Sequence, residues 1–263
     1  MAAHAGEGGM SAGGVSALVV AHNEEARLAD CLERLRFADE IVVVLDRCTD
    51  RSEEIARRFT GRILEGAWEV EGDRRNAGIA FCRGPWVLEA DADERVGEAL
   101  AREIAETARS SAFDVHEIPV DNYVGDRLVR WGWGASFGRA AYAGLFRKGA
   151  KTWGRERVHP KLTFAGRKGP RLNNPIQHYV DRDIADMIGR LNRYTSLRAM
   201  DLRASGDPGS MAHNVRRIFS RFWKCYVARK GYREGGYGFV IAMCAALYPI
   251  LSYLKATLEK DRA

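Results

Sequence analysis

The chain has 263 residues, 46% apolar and 29% charged, a globular composition that excludes general disorder. The net charge of +6 is modest, and the five cysteines (31, 48, 82, 225 and 244) form no Cys-x-x-Cys pair, which excludes a disulfide framework and a cysteine-based zinc site. That length holds one sizeable α/β domain plus a smaller appendage.

Residues 1–14 ("MAAHAGEGGMSAGG") are small and Gly-rich and read as a loose tail. They lack the basic-then-apolar order of a leader, and with the dispersed thiols this points to the cytoplasm. Because the glycines precede the first strand, they do not make a dinucleotide-binding loop. "VSALVVAHNEE" predicts a buried strand running into a polar loop, and "EARLADCLERLRFA" a helix with Leu28, Cys31, Leu32 and Leu35 on one face. "DEIVVVLDRCTD" predicts a second buried strand ending at Asp46. A helix ("DRSEEIARRFT"), a short strand ("GRILEG"), a helix ("GDRRNAGIAFCR") and a strand ("GPWVLEADADE") follow.

This alternation predicts an α/β fold with an open, mostly parallel, Rossmann-like sheet flanked by helices. Ligands bind beyond the carboxyl ends of such strands. Polar residues gather there: His22, Asn23 and Glu24, then Asp46, Arg47 and Thr49, then Asp91 and Asp93. In "WVLEADADERV" the carboxylates of Glu89, Asp91 and Asp93 would line one strand face about 6.6 Å apart and repel unless a cation lies among them. A D-x-D at a strand end suits Mg²⁺ or Mn²⁺, which takes carboxylate oxygens and completes its sphere with water and substrate phosphates. The alternative is a solvated acidic turn at the start of the next helix. Glu89, deeper in the strand, is expected to pair with a basic side chain.

Beyond a helix-like "VGEALAREIAETAR", "FDVHEIPVDNYV" and "GLFRKG" predict further strands. Residues 125–145, rich in Gly, Trp and Arg, predict an irregular substrate loop or hairpin in which Trp131 and Trp133 either stack on a sugar or wedge against the core. Residues 183–204 predict a helix, and 211–260 a mostly helical end. Arg216, Arg217, Arg221, Lys224, Arg229, Lys230 and Arg233 there alternate with aromatic residues, ahead of a nearly uninterrupted apolar run over 238–254. A basic, aromatic helix beside such a run predicts attachment at an anionic membrane surface. The competing reading is a helix packed on the domain; no nucleic-acid motif is present, so nucleic acid is not an expected partner.

The stretches "VVAHNEEARLADCLERLRFADEIVVVLDRCTDRSEEIARRF" and "GDRRNAGIAFCRGPWVLEADADERV" resemble the inverting family 2 glycosyltransferases of the GT-A fold. "YAGLFRKGAKTWGRERVHPKL", "NPIQHYVDRDIADMIGRLNRYTSLRA" and "KGYREGGYGFVIAMCAALYPILSYLKA" resemble the lipopolysaccharide-core β-1,4-glucosyltransferase branch. The resemblance implies a UDP-sugar donor, a lipid-linked saccharide acceptor and a divalent metal. By position it implies that Asp46 meets the uracil ring and that Ala21, Asn23 and Glu24 form the first nucleotide loop. Arg74 and Arg75 would belong to the nucleotide pocket, with Asp91 nearer the ribose and Asp93 the more direct metal ligand. His178 is a further candidate for the metal or the diphosphate, with a structural role as its alternative.

Two departures stand out. "DRCTD" replaces the branch's D-S-G-S-T-D, and "RERVHPKL" has Pro160 where a glutamate follows the histidine. The general base is therefore sought in Glu156, His159 or, more distantly, Asp126, with Glu156 favoured because this chemistry uses a carboxylate. The expected organisation is a tail over 1–14, a catalytic domain over 15–182, and a helical, membrane-associating extension over 183–263 on the inner face of the membrane. A metal-dependent nucleotidyltransferase and a non-catalytic adaptor are the alternative functions.

Overall fold

A computed structural model describes residues 13–134, 137–158 and 160–259. Its first half alternates β1 (Val15–Ala21), α1 (Leu28–Glu33), β2 (Glu40–Asp46), α2 (Ser52–Arg57), β3 (Ile63–Gly66), α3 (Glu71–Phe81) and β4 (Trp86–Asp91). A two-residue β5 (Glu94–Arg95) and α4 (Glu98–Ser110) follow, then β6 (Val115–Val124), β7 (Arg127–Val129), β8 (Ala141–Arg147), β9 (Lys151–Trp153), β10 (Leu162–Phe164) and β11 (Ile176–Asp181). The chain ends in α5 (Ile184–Ser205), α6 (Met211–Trp223) and α7 (Gly236–Leu258).

The main sheet runs β3-β2-β1-β4-β8-β6-β11-β5, with β7 paired to β6. β3, β2, β1 and β4 are parallel, as the alternating pattern predicts. β8 lies antiparallel between β4 and β6, which makes the whole sheet mixed. The parallel block is buried on both faces, which is why its strands are continuous apolar runs. On β1, Val15, Ala17, Val19 and Ala21 pack towards Leu28, Leu32, Leu100 and Ile104 of α1 and α4. Leu18 and Val20 point the other way, towards Ile79 of α3.

β11 is not anticipated by the sequence, because "IQHYVD" carries polar residues and is only partly buried. It pairs with β5 so that His178 lies opposite Glu94. The described residues of the 125–145 segment are also more ordered than their composition predicts. They include β7, and Trp133 and Phe137 are buried against α5 and α7, with the Trp133 indole N–H donating to the Val129 carbonyl at 2.6 Å. Trp133 is thus a wedge, whereas Trp131 stays on the surface beside Lys230 and Arg233.

α5 and α7 build this second core with Met187, Leu191, Ile241, Ala242 and Ala245. α7 continues through Pro249. By length and composition it is long and apolar enough to cross a membrane, yet 56% of its most apolar stretch is buried inside the protein. The basic-aromatic stretch is broken by a π-helical turn at Lys224–Ala228 and by Lys230 in the left-handed region, φ 58°.

Candidate active site

The carboxyl ends of β1 and β2 are stitched into one rim. The Thr49 N–H donates to Asn23 Oδ1 at 2.8 Å, the Glu24 N–H to Ser52 Oγ at 2.9 Å, and His22 Nδ1 to the Asp46 carbonyl at 2.6 Å. Asn23 (φ 56°) and Arg47 (φ 50°), which follow the two strands, both adopt the left-handed backbone that non-glycine residues avoid. Such strain at paired strand ends marks a site that the surrounding structure holds in place. Ala21 is buried at the end of β1, and burial together with Asp93 raises the Glu24 carboxyl above its usual range.

Asp46 is only 2% exposed. Its Oδ1 accepts from the Trp68 N–H at 3.1 Å and Arg47 Nε at 3.0 Å, and its Oδ2 from Arg47 at 3.2 Å and Arg74 at 3.1 Å. Burial alone would raise this carboxyl, but the Trp68 N–H and the guanidinium groups hold it below the usual range. A carboxylate has about four acceptor directions, and here all are filled.

Asp91 closes β4, and its Oδ1 accepts from Arg75 at 2.7 Å while its Oδ2 accepts from Arg139 at 3.2 Å. Burial opposes ionisation, yet the two guanidiniums hold this carboxyl well below the usual range. Arg139 also bonds Glu94 and lies over the Tyr142 ring, 3.9 Å from its centroid. Burial raises the Glu94 carboxyl against Arg139, and neighbouring Asp91 adds to the rise. Glu94 is therefore a buried support that also accepts the Asp91 N–H at 2.9 Å.

The expected partner of Glu89 is Lys151, which bonds it in the core, and the Trp153 indole N–H donates to the same carboxylate at 2.9 Å. The repulsion along the β4 face is thus answered by protein cations: Lys151 for Glu89, Arg75 and Arg139 for Asp91.

Asp93 differs. Its Oδ2 lies 3.6 Å from Arg27 and 3.5 Å from His178 Nε2, and the carboxylate is partly open to solvent. His178 Nδ1 lies 2.8 Å from Asn122 Oδ1, and the Asn122 amide N–H₂ donates to the Arg139 carbonyl. That second bond fixes the amide orientation, so Nδ1–H is the donor; against burial, Asp93 opposite Nε2 raises the imidazole above its usual range, and a metal bound at Nε2 would replace a proton there. Among the described residues no three His, Cys, Asp or Glu side chains cluster as metal ligands. Two protein donors still fit a divalent cation that takes its remaining ligands from a diphosphate. Each Asp91 oxygen accepts one arginine N–H and keeps a further acceptor direction, so Asp91 stays beside Asp93 and His178 in the expected donor set.

Glu156 sits apart from this carboxylate cluster, on the loop between β9 and β10. Its Oε2 accepts the Lys161 N–H at 3.0 Å, and that bond keeps its carboxyl below the usual range. The loop is clamped onto α3: Asn76 donates to and accepts from the Trp153 backbone, and Arg155 pairs with Asp73 at 3.1 Å. A Cβ at Gly72 would stand 1.8 Å from the Gly154 carbonyl oxygen, so only glycine permits this approach. His159 lies outside the described residues, and Asp126 is exposed in the β6–β7 turn.

The sequence also failed to single out Arg27, Arg139 and Tyr142. Arg139 lies in a stretch rich in Gly, Trp and Arg, and nothing local in the sequence ties it to Asp91.

A family model described as "Glycosyl transferase family 2" matches residues 16–152. The lipopolysaccharide core biosynthesis glycosyltransferase LpsC of Rhizobium meliloti (strain 1021) is 25% identical over 254 residues, spanning 92% of this chain and 91% of that protein. An uncharacterized glycosyltransferase of Rickettsia typhi is 26% identical over 92% of this chain and 86% of that protein. The crystal structure of S. aureus TarS 1-349 in complex with UDP aligns with 92% of this chain and 90% of that chain, at 13% identity and a TM-score of 0.49.

Proposed function

The chain belongs to glycosyl transferase family 2 and is a glycosyltransferase, and on that premise we propose that it is an inverting enzyme transferring a hexose, glucose from UDP-glucose, to a lipid-linked saccharide such as the lipopolysaccharide inner core. The observation that carries the donor side is the convergence of Asp46, Asp91 and the Asp93–His178 pair on one rim of the sheet. The acceptor class rests on the resemblance of the C-terminal motifs and on the name of the Rhizobium meliloti relative.

In this reading the uracil ring lies against Asp46, where its imide N–H takes the place of an Arg47 N–H, and Ala21, Asn23 and Glu24 form the loop around the nucleoside. Arg74 borders that pocket. Arg75 and Arg139 hold Asp91 in place beside the ribose. Mg²⁺ or Mn²⁺, held by Asp93 and His178, would neutralise the charge that develops on the departing diphosphate.

The acceptor hydroxyl attacks the anomeric carbon on the face opposite the diphosphate. The new carbon–oxygen bond forms as the bond to UDP breaks, which inverts the configuration, and the hydroxyl proton passes to the base. Glu156 is assigned that role. Asp91, Glu94, Glu89 and Glu71 are each committed to a guanidinium or an ammonium group. Glu156 is ionised and bonded through Oε2 to a backbone N–H, on a loop clamped to the helix that carries Arg75.

The proposed site of action is the inner face of the membrane, with the protein attached peripherally. Phe219, Trp223 and Phe239 are 72%, 64% and 49% exposed, and they line an apolar groove between α6 and α7 with Phe222 and Met243. Arg216 and Lys224 are exposed on the same helical segment. Apolar rings flanked by cations match an anionic bilayer surface. Incubation with UDP-glucose, Mn²⁺ and truncated core saccharides tests the activity: release of UDP with a β-linked product supports it, and release of pyrophosphate contradicts it.

A further inference from the structure

The basic stretch that the sequence offers as a membrane contact has a second face. Arg217 and Arg221 line a cavity of roughly 440 Å³ between Glu156, Val158 and Lys161 on one side and helices α5, α6 and α7 on the other. Lys161, Arg198 and His213 lie in the same wall. His213, Arg217 and Arg221 recur every four residues along α6 and so share one side of the helix. The first turn of α6 also contributes, through His213 and Asn214, so the positive end of that helix borders the space.

Two carboxylates, Glu156 and Asp207, line the cavity as well, each bonded to a backbone N–H. Glu156 accepts the Lys161 N–H, and Asp207 accepts the Gly209 N–H at 3.0 Å. Among the described residues, Arg198 and Arg217 stand in no close ion pair, although the charge of Arg198 reaches Glu156 and helps keep that carboxyl below its usual range. Burial, and then neighbouring Arg198 and Arg216, push the Arg217 guanidinium below its usual range. Burial and Arg217 push Arg221 down to about 10. Like charges held together in partial burial destabilise one another, and an anion placed among them reverses the sign of each interaction.

We propose that this cavity binds a phosphate group belonging to the acceptor, with Arg198, Arg217 and Arg221 as its charged wall. Several guanidinium groups around one space suit the tetrahedral, doubly charged phosphate oxygens better than a single carboxylate. The position suits an acceptor because two elements, α5 and the loop that carries Glu156, run from the cavity towards the catalytic rim. Tyr194 of α5 feels the charges of Glu71 and Asp91, and Arg198 lies one helical turn further on the same helix face. Glu156, assigned as the base, lines the cavity from the loop that is clamped to α3. An acceptor whose phosphate sits among the arginines would carry a neighbouring hydroxyl towards Glu156.

The identification of the ligand as the acceptor rests on the glycosyltransferase reading; the anion site itself does not. The phosphate has two sources, a phosphorylated saccharide or the headgroup of an anionic lipid. The test is calorimetric titration with glucose 6-phosphate while UDP and Mn²⁺ saturate the donor site, beside co-sedimentation with phosphatidylcholine vesicles with and without phosphatidylglycerol. The wild-type chain, Arg217→Gln and Arg198→Gln are compared, each checked for its melting temperature. The expected result is saturable binding of one phosphate probe that weakens about tenfold or more in each variant, while UDP affinity stays unchanged. Loss confined to glucose 6-phosphate assigns the saccharide phosphate, and loss confined to phosphatidylglycerol vesicles assigns the lipid headgroup. If both variants hold both probes as tightly as the wild type, the proposal is overturned. A wild-type chain that fails to bind UDP would instead remove the UDP-sugar donor from the proposed function, and the response to glucose 6-phosphate would still decide the anion site.

Discussion

His178 Nε2 stands 3.5 Å from Asp93 Oδ2, joining the last strand of the sheet to the turn after β4. The contact depends on the pairing of β11 with β5, which sets His178 opposite Glu94. It also depends on Asn122, whose side-chain oxygen holds the far nitrogen of the ring at 2.8 Å. Two donors from distant parts of the chain are thereby aimed at one point beside the arginine-held Asp91.

If the pair holds a divalent cation, Asn122 is a positioning residue for it. Replacing Asn122 by Leu should weaken Mn²⁺ affinity of the UDP-loaded protein by roughly 10–100-fold. Electron paramagnetic resonance titration of free Mn²⁺ reads this without an activity assay. The His178→Ala protein should show at least the same loss, and unchanged affinity in both would remove the donor assignment.

Arg47 occupies acceptor directions on Asp46 that a uracil ring would need. Its side chain is half exposed, so breaking the ion pair costs about 0.5–1 kcal/mol after solvent screening. Arg47→Ala should therefore bind uridine about two- to fivefold more tightly by calorimetry. Uridine is the suitable probe because it carries no phosphates for Arg47 to contact. Weaker binding by the variant would mean that Arg47 belongs to the nucleoside pocket rather than blocking it.

The buried pair of Lys151 and Glu89 supports the β4 strand beneath the site. Lys151→Met leaves the Glu89 carboxylate buried without its ammonium partner, which should cost about 3–5 kcal/mol in chemical denaturation. Adding Glu89→Gln should recover part of that loss, because Trp153 can still donate to the amide oxygen. A double mutant no more stable than Lys151→Met would show that the charge pair is not the source of the effect.

Asp46 gives a pH signature. Its folded-state carboxyl lies below its usual value, so the stability it contributes is present above about pH 4 and is lost as pH falls through the lower, folded value. The melting-temperature gap between the wild type and Asp46→Asn should be widest at neutral pH and shrink under acid. A gap of constant width from pH 7 to pH 3 would contradict the charged hydrogen bonds as its cause.

The parallel half of the fold was legible because burial on both faces forces apolar runs, and each run ends in polar residues where the strand leaves the core. Asp46 and Asp91 could be placed at one rim from that punctuation, whereas Arg74 and Arg75 lie inside α3 and owe their placing to the family resemblance. β11 was not legible, since its Gln177, His178 and Tyr179 are half-buried and serve the site rather than the core. Arg27 and Arg139 were missed because pairing with Asp93 and Asp91 depends on the folded trace, not on spacing. The basic C-terminal stretch was legible as charge but not as geometry: Arg217 and Arg221 turn inward to a cavity while Phe219 and Trp223 face outward.

The most direct measurement is UDP release from UDP-glucose with a core saccharide acceptor and Mn²⁺, comparing the wild type with Asp93→Ala. Release by the wild type should depend on metal, be abolished by chelation and return with Mn²⁺ or Mg²⁺. Asp93→Ala should lose at least 100-fold, in keeping with about 3 kcal/mol or more of lost transition-state stabilisation. Full turnover by Asp93→Ala, or turnover indifferent to chelation, would overturn the metal-dependent mechanism.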